Sequence, residues 1–153
     1  MKLYHGSSNQ NKPSVIVGYD KSISENIFDG IFLSYSYSAA SSHGEFVHTY
    51  DIEGDQIASS YNLEQEWSKV VEVVAKEIDS DDEDIIADIA QLVIDDEATF
   101  YEVEEILEYL CCEQEAACGL WELQRIRGRV AAAIGFSAVE MNDEHGTSYL
   151  LVK

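Results

Sequence analysis

The sequence predicts an α+β fold in a single domain spanning residues 1–153, with strands at both ends of the chain and helices between them. Three observations indicate this class. Residues 1–57 are rich in β-branched and aromatic residues separated by glycines, residues 62–134 show the apolar periodicity of helices, and the strand pattern returns from Phe136. Because the last strands have little else to pair with, we expect them to return to the first ones and form the core of the sheet.

Four strands are predicted in the first third of the chain. They are KLYH at 2–5, SVIVGY at 14–19, DGIFLS at 29–34 and EFVHTYDI at 45–52. Glycines separate these runs, as is typical of turns between short strands.

The middle section predicts four helices. Asn62 can cap the first of them, whose apolar residues recur at spacings of three and four up to Ile78. Capping boxes S-D-D-E at 80–83 and T-F-Y-E at 99–102 start the next two. The fourth helix, LWELQRIRGRVAAAI, ends at Gly135, a residue type favoured just after a helix. After this helix, FSAVEM, a polar NDEHG turn and TSYLLV predict a closing hairpin.

The charge is strongly acidic and unevenly distributed. The chain contains thirty Asp and Glu and nine Lys and Arg, which gives a net charge of −21. Residues 64–115 contain nineteen of the acids and only two lysines, a net charge of −17. Such a block repels nucleic acid and membrane surfaces. It fits an ordinary solvated helical face, and it also fits a surface that meets a basic partner, such as a protein that holds DNA or RNA.

Several classes of site are not indicated. The sequence lacks a P-loop, a G-x-G-x-x-G fingerprint, H-E-x-x-H and G-x-S-x-G. No metal site is expected, because His43 and His48 would face opposite sides of a strand, and Cys111, Cys112 and Cys118 are best interpreted as reduced thiols. The start lacks the apolar stretch of a signal peptide and no apolar run approaches a membrane span, so a cytoplasmic protein is expected.

Two short stretches at predicted strand ends are candidates for a binding site. In Tyr4-His5-Gly6-Ser7-Ser8, glycine leaves the main chain accessible, so that its N–H and C=O can pair with a carboxamide, while His5 and Ser7 can bind sugar hydroxyls. The same residues also suit an ordinary turn.

The second stretch, GIFLSYSYSAASSH at 30–43, predicts a strand that leads into a helical turn rich in hydroxyls. Phe32, Ser34, Ser41 and His43 are its candidate binding residues, and a neutral His43 can stack on a nicotinamide ring. The alternative is that Phe32 belongs to the core and the serines to the surface.

Together these stretches resemble the ADP-ribosyltransferase superfamily, in the branch that includes the poly(ADP-ribose) polymerases. The resemblance implies that NAD⁺ is the cofactor, that His5 holds one of its riboses, and that Gly6 and Ser41 contact its carboxamide. His43 stands where the family has a stacking tyrosine. In the closing hairpin, Ser148 stands where relatives carry a catalytic glutamate.

An acid must then come from elsewhere, and Asp143 or Glu144 in the preceding turn is nearest. A carboxylate there would stabilise the positive charge that develops on the ribose as the nicotinamide bond breaks. The competing interpretation is that the NDEHG stretch is only a polar hairpin loop.

A closer resemblance covers the whole chain. LYHGSS, GEFVHTYDI, WELQRIRG and GFSAVEMNDEHGTSYL are similar to a small phage-encoded anti-CRISPR family of ADP-ribosyltransferases that act against type I-F interference. The resemblance implies transfer of ADP-ribose from NAD⁺ to the Cascade subunit that recognises the protospacer-adjacent motif.

A different class of function fits the charge. A non-catalytic DNA mimic would use the acidic helices to occupy a basic nucleic-acid-binding surface. The role of Arg125, Arg127 and Arg129 is open between binding a pyrophosphate and pairing with the acidic helices.

Overall fold

The computed structural model describes residues 1–17, 28–110, 116–143 and 146–153, which form strands at both ends of the chain and helices between them. The strands are β1 (Lys2–Ser7), β2 (Ile31–Leu33), β3 (Phe46–Asp51), β4 (Ile57–Ala58), β5 (Ala138–Asp143) and β6 (Gly146–Leu151). The helices are α1 (Tyr37–Ser42), α2 (Ser60–Gln65), α3 (Trp67–Glu77), α4 (Glu83–Asp95), α5 (Phe100–Ile106) and α6 (Ala116–Ile134). Short 3₁₀ turns lie at Gly54–Gln56 and Leu107–Tyr109.

The sheet confirms that the last strands return to the first. One sheet has the order β2-β6-β5-β4, with β5 and β6 forming an antiparallel hairpin and β4 parallel to β5. A second, two-stranded sheet pairs β1 with β3 in antiparallel register. An isolated bridge joins the backbones of the two sheets, where Tyr4 and Ser34 exchange two hydrogen bonds of 2.8 Å.

The two faces of the four-stranded sheet are both covered. On one face, Val139, Met141 and Leu150 pack against the apolar sides of α3, α4 and α6. On the other face, Leu33 and Tyr149 join residues of β1 and β3 in a second core cluster. The α+β architecture is therefore the predicted one, with the helices at 60–134 covering one side of the sheet.

Three predicted local features are wrong in detail. Residues 14–17 of the predicted strand SVIVGY are not a strand, and the rest of that segment lies outside the described residues. The first helix is capped by Ser59 and not by Asn62, whose side chain closes the capping box three residues later, and it is broken at Glu66 between α2 and α3. The α4 cap is Asp82, whose carboxylate accepts hydrogen bonds from the first turn in place of Ser80. At the starts of α2 and α4, a neighbouring side chain of similar capping ability competes for the same N–H groups.

Two other local predictions are confirmed. Thr99 and Glu102 form the capping box of α5. Gly135 follows α6 with a φ of 108°, a backbone conformation that glycine adopts without strain.

Two arginines of α6 join the helices to the segment before β2. Arg125 donates hydrogen bonds to Asp29 at 2.9 Å, to Glu77 at 2.6 Å and to Glu122 at 2.9 and 2.7 Å. Arg129 lies 3.7 Å from Glu77 and 3.9 Å from Asp29. Both arginines therefore pair with acids, as one of the two open interpretations proposed.

Arg127 points the other way and caps the end of α4. Its guanidinium donates to the carbonyl oxygens of Val93 at 2.8 Å, Ile94 at 2.6 Å and Glu140 at 2.9 Å. The residue is 2% exposed, so its charge is used to bind backbone groups inside the fold. Within the described ranges, none of the helices is long and apolar enough to cross a membrane.

Candidate active site

One edge of β1, the edge that does not pair with β3, lies at the candidate site. Met1 and Ile52 exchange backbone hydrogen bonds at one end of the β1–β3 pair. In an antiparallel pair, successive residues direct their backbone N–H and C=O groups alternately towards the partner strand and away from it. The odd-numbered residues of β1 therefore direct these groups towards β3. Tyr4 directs its own groups to Ser34 on the opposite side. Gly6, two residues further, faces that same side, just past the point where β2 is bridged to β1. Its N–H and C=O therefore face the gap between the two sheets.

Glycine is required at this position by the close approach of α1. A Cβ on Gly6 would lie 1.9 Å from the carbonyl oxygen of Ala40, and a Cβ on Gly44 would lie 2.3 Å from the carbonyl carbon of Ser7. The two glycines let the end of α1 pack directly on β1, which brings His43 beside the open edge. Gly6 therefore has two roles: it exposes its backbone, as the sequence predicts, and it leaves room for the end of α1 to pack on β1.

The imidazole of His5 is fixed by the backbone of β2. Its Nδ1 lies 2.9 Å from the carbonyl oxygen of Phe32. Because a carbonyl oxygen only accepts, Nδ1 carries the hydrogen and Nε2 of the neutral ring is left as an acceptor. An acceptor on a partly buried ring suits a sugar hydroxyl.

A pocket of about 370 Å³ lies over this edge. We call it the Gly6 pocket. It is lined by Tyr4, His5, Gly6, Phe32, Leu33, Ser34, Ala40, His43, Asp143 and Ser148. Six residues predicted from separate parts of the sequence thus share one cavity of ordinary size for a small-molecule site.

Ser148 lies in this pocket with an unsatisfied hydroxyl. It is 7% exposed, and its Oγ has no hydrogen-bond partner among the residues that the structure describes. Buried polar groups are nearly always paired, so an unpaired one that lines a pocket indicates a place for a polar ligand atom. Sequence reasoning missed Ser148 as a binding residue because it noted only the glutamate that this position lacks.

Asp143 lies exposed at the end of β5, opposite Gly146 in the hairpin register. A second carboxylate, that of Asp96, accepts a 2.6 Å hydrogen bond from the backbone N–H of Asn142. Burial raises the pKa of Asp96, and the charges of Glu97 and Asp143 raise it further, whereas Arg127 and the Asn142 N–H act in the opposite direction. Two acids therefore approach each other at this strand end.

The remaining predicted residues lie apart from the pocket or outside the described chain. The Ser7 hydroxyl accepts a 3.0 Å hydrogen bond from the Asn9 N–H, and the exposed Ser41 donates one of 2.8 Å to the Ser38 carbonyl within α1. Neither lines the Gly6 pocket. Glu144, Cys111 and Cys112 lie outside the described residues.

Comparison with known families decides the class of protein. The family model described as "Anti-CRISPR Type I-F ADP-ribosyltransferase AcrIF11" matches residues 1–153. The chain belongs to this family. A solved structure described as "Crystal structure of an anti-CRISPR protein" is similar, with 28% sequence identity and a TM-score of 0.61 over 99% of this chain and 89% of its own. Comparison with curated proteins gives no match.

Membership of the AcrIF11 family confirms the predicted enzyme class, ADP-ribosyltransferase, and implies NAD⁺ as the substrate. The Gly6 pocket fits one end of that substrate. A carboxamide needs one donor and one acceptor, which the open edge of Gly6 supplies, and a ribose has hydroxyls that suit Nε2 of His5 and Oγ of Ser148.

Proposed function

We propose that the Gly6 pocket binds the nicotinamide and adjoining ribose of NAD⁺ and that Asp143 promotes their separation. The observation that carries this proposal is the meeting of Gly6, His5, His43 and Asp143 in one cavity with the buried, unpaired hydroxyl of Ser148. Strands of both sheets and of both ends of the chain line the pocket, which supports the prediction that residues 1–153 act as one domain.

Each residue has a separate task. The backbone of Gly6 pairs with the carboxamide, and the ring of His43 lies against the nicotinamide. His5, held by the Phe32 carbonyl, accepts a hydrogen bond from a ribose hydroxyl. Phe32 forms the apolar wall and Ser34 fixes the edge by its backbone bonds to Tyr4. Ser7 and Ser41 stay predictions that rest on the family resemblance.

The carboxylate of Asp143 stabilises the positive charge that develops on the ribose during the reaction. In ADP-ribose transfer, the bond between nicotinamide nitrogen and ribose carbon breaks with its electron pair leaving on nicotinamide. A lone pair of the acceptor then bonds to that carbon, and the acceptor loses a proton. Positive charge on the ribose is greatest as the first bond breaks, so a nearby carboxylate stabilises this stage more than the bound substrate.

The partner is a protein of the type I-F CRISPR–Cas complex, and we propose the subunit that recognises the protospacer-adjacent motif. Such a subunit has a basic surface for DNA. The acidic helices α4 and α5 are complementary to it, which steers the encounter. The reaction would take place in the cytoplasm of the host bacterium, where that complex meets DNA.

Intact-mass analysis of purified type I-F Cascade, incubated with a substoichiometric amount of this protein, tests the proposal. With NAD⁺, a subunit should gain the mass of one ADP-ribose, and without NAD⁺ it should not. A DNA mimic would instead inhibit only near one equivalent, with no change of mass and with strong sensitivity to salt.

Asp143→Ala should lower the rate of modification by about 10²–10³. Asp51→Ala is a matched control, because Asp51 is also an exposed carboxylate at a strand end but does not line the pocket. Glu144→Ala should be measured alongside. Full activity of Asp143→Ala with loss of activity in Glu144→Ala would move the catalytic role to Glu144.

A further inference from the structure

A second, larger cavity adjoins the Gly6 pocket. Its volume is about 740 Å³, and Phe32 and Asp143 line both cavities. Asp96, Phe100, Trp121 and Asn142 also line the second cavity. Phe32 therefore forms a partition between the cavities, and the carboxylate-bearing end of β5 lies where they meet.

The second cavity has an apolar side and a polar side. Phe100 is 60% exposed and Trp121 is 48% exposed, and both line it. Exposed aromatic side chains that share one concave surface are typical of interaction sites. On the polar side lie the Asn142 strand end and the carboxylate of Asp96. A suitable occupant has a polar group next to an apolar one.

The position of this cavity relative to Asp143 indicates which occupant it takes. If nicotinamide leaves from the Gly6 pocket, the acceptor must reach the ribose carbon from a different direction. Asp143 stands between that pocket and the second cavity, so the second cavity lies on the acceptor's side of the reacting carbon.

We propose that the second cavity is the acceptor subsite of the transferase. It takes a loop of the target protein that presents its polar acceptor side chain next to an apolar side chain. The apolar side chain packs on Phe100 and Trp121, and the acceptor reaches the end of β5 at Asp143. This inference rests on the proposed function.

Charge supports a protein loop as the occupant. Asp95, Asp96 and Glu97 follow one another at the end of α4, directly beside the cavity, and α5 continues the acidic surface. A loop from a basic, DNA-binding surface is complementary to this rim. The negatively charged pyrophosphate of the dinucleotide is not, because like charges repel.

The test compares Phe100→Ala with Tyr101→Ala. Tyr101 is the next residue of α5, is 69% exposed and does not line the cavity, so it is a close control. Two quantities are measured for each variant: the Kd for NAD⁺ by calorimetry, and the KM for purified type I-F Cascade in the mass assay. Trp121→Ala serves as a second variant, because Trp121 lines the same cavity from α6.

Phe100→Ala and Trp121→Ala should raise the KM for Cascade by about tenfold, as truncation of an aromatic anchor does, while the Kd for NAD⁺ stays the same. Tyr101→Ala should change neither quantity. Weaker NAD⁺ binding by Phe100→Ala would show that the cavity holds the rest of the dinucleotide, and an unchanged KM would show that the target does not use it. Either result overturns the inference. If the unsubstituted protein does not modify Cascade at all, the proposed function fails and the acceptor subsite fails with it.

Discussion

Ser148→Ala should make the free protein more stable and its complex with NAD⁺ weaker. In the free protein the Ser148 hydroxyl is buried without a partner among the described residues. Such a group costs about 1–3 kcal/mol of folding free energy, which alanine avoids. Removing one oxygen atom leaves only a small void, so we expect the free energy of unfolding to rise by about 1 kcal/mol. For a chain of this size that corresponds to a melting temperature about 2–4 °C higher.

The same change removes a hydrogen bond to the ribose in the proposed complex. A hydrogen bond between neutral groups contributes about 0.5–1.5 kcal/mol, so the Kd for NAD⁺ should rise roughly two- to twelvefold. Thermal melting with and without NAD⁺, together with calorimetry, measures both effects. Thr147→Ala, which changes an exposed neighbour on the other face of β6, should show neither. A less stable Ser148→Ala protein with unchanged NAD⁺ affinity would refute the assignment, because it would mean that the hydroxyl is satisfied inside the fold.

Three further outcomes are expected. Gly6→Ala puts a Cβ 1.9 Å from a helix carbonyl oxygen, so it should lower the free energy of unfolding measured in urea by about 1–3 kcal/mol and abolish NAD⁺ binding. Gly54→Ala should do neither, because no atom lies within 4 Å of the Cβ that it adds. Arg125→Met removes the guanidinium that Asp29, Glu77 and Glu122 share in a largely buried ion cluster and should lower the free energy of unfolding by about 3–5 kcal/mol, while loss of the exposed ion pair in Lys76→Ala should leave the urea midpoint almost unchanged. Because burial raises the pKa of Asp96 above its ordinary 3.8, this group stabilises the fold most at low pH and less as the pH rises through its folded-state pKa. The unfolding free energy of the unsubstituted protein should therefore fall relative to that of Asp96→Asn as the pH is raised above about 4.

The elements of this fold could be predicted from sequence where local patterns are sufficient. The closing hairpin, the Thr99 capping box and the end of α6 at Gly135 depend on neighbouring residues, and all three are confirmed. The break at Glu66 and the Asp82 cap of α4 were not predicted. Ser80 and Asp82 can each cap a helix, and tertiary packing selects between them, whereas no side-chain cap marks the break at Glu66.

The candidate site could be predicted in part. His5, Gly6, His43 and Asp143 meet in one pocket although they come from both ends of the chain. Ser148 had a usable signal in the sequence, since it occupies the same face of β6 as the buried Leu150, where alternation predicts an apolar residue. No local sequence pattern indicates the packing of α1 on Gly6, because this contact joins β1 to a helix that begins only at Tyr37.

The hairpin register explains how this pocket can contain a carboxylate although Ser148 stands where the superfamily has glutamate. Met141 is the partner of Ser148 across the hairpin, and Asp143 is the partner of Gly146. Cross-strand partners lie on the same face of a sheet, so Asp143 and Ser148 are diagonal neighbours on one face, about 7–8 Å apart between their Cα atoms. The proposed catalytic aspartate at the end of β5 therefore lies beside the strand position where the superfamily carries its glutamate. Because Asp143 and Phe32 line both cavities, the proposed acceptor subsite meets the Gly6 pocket at this same strand end.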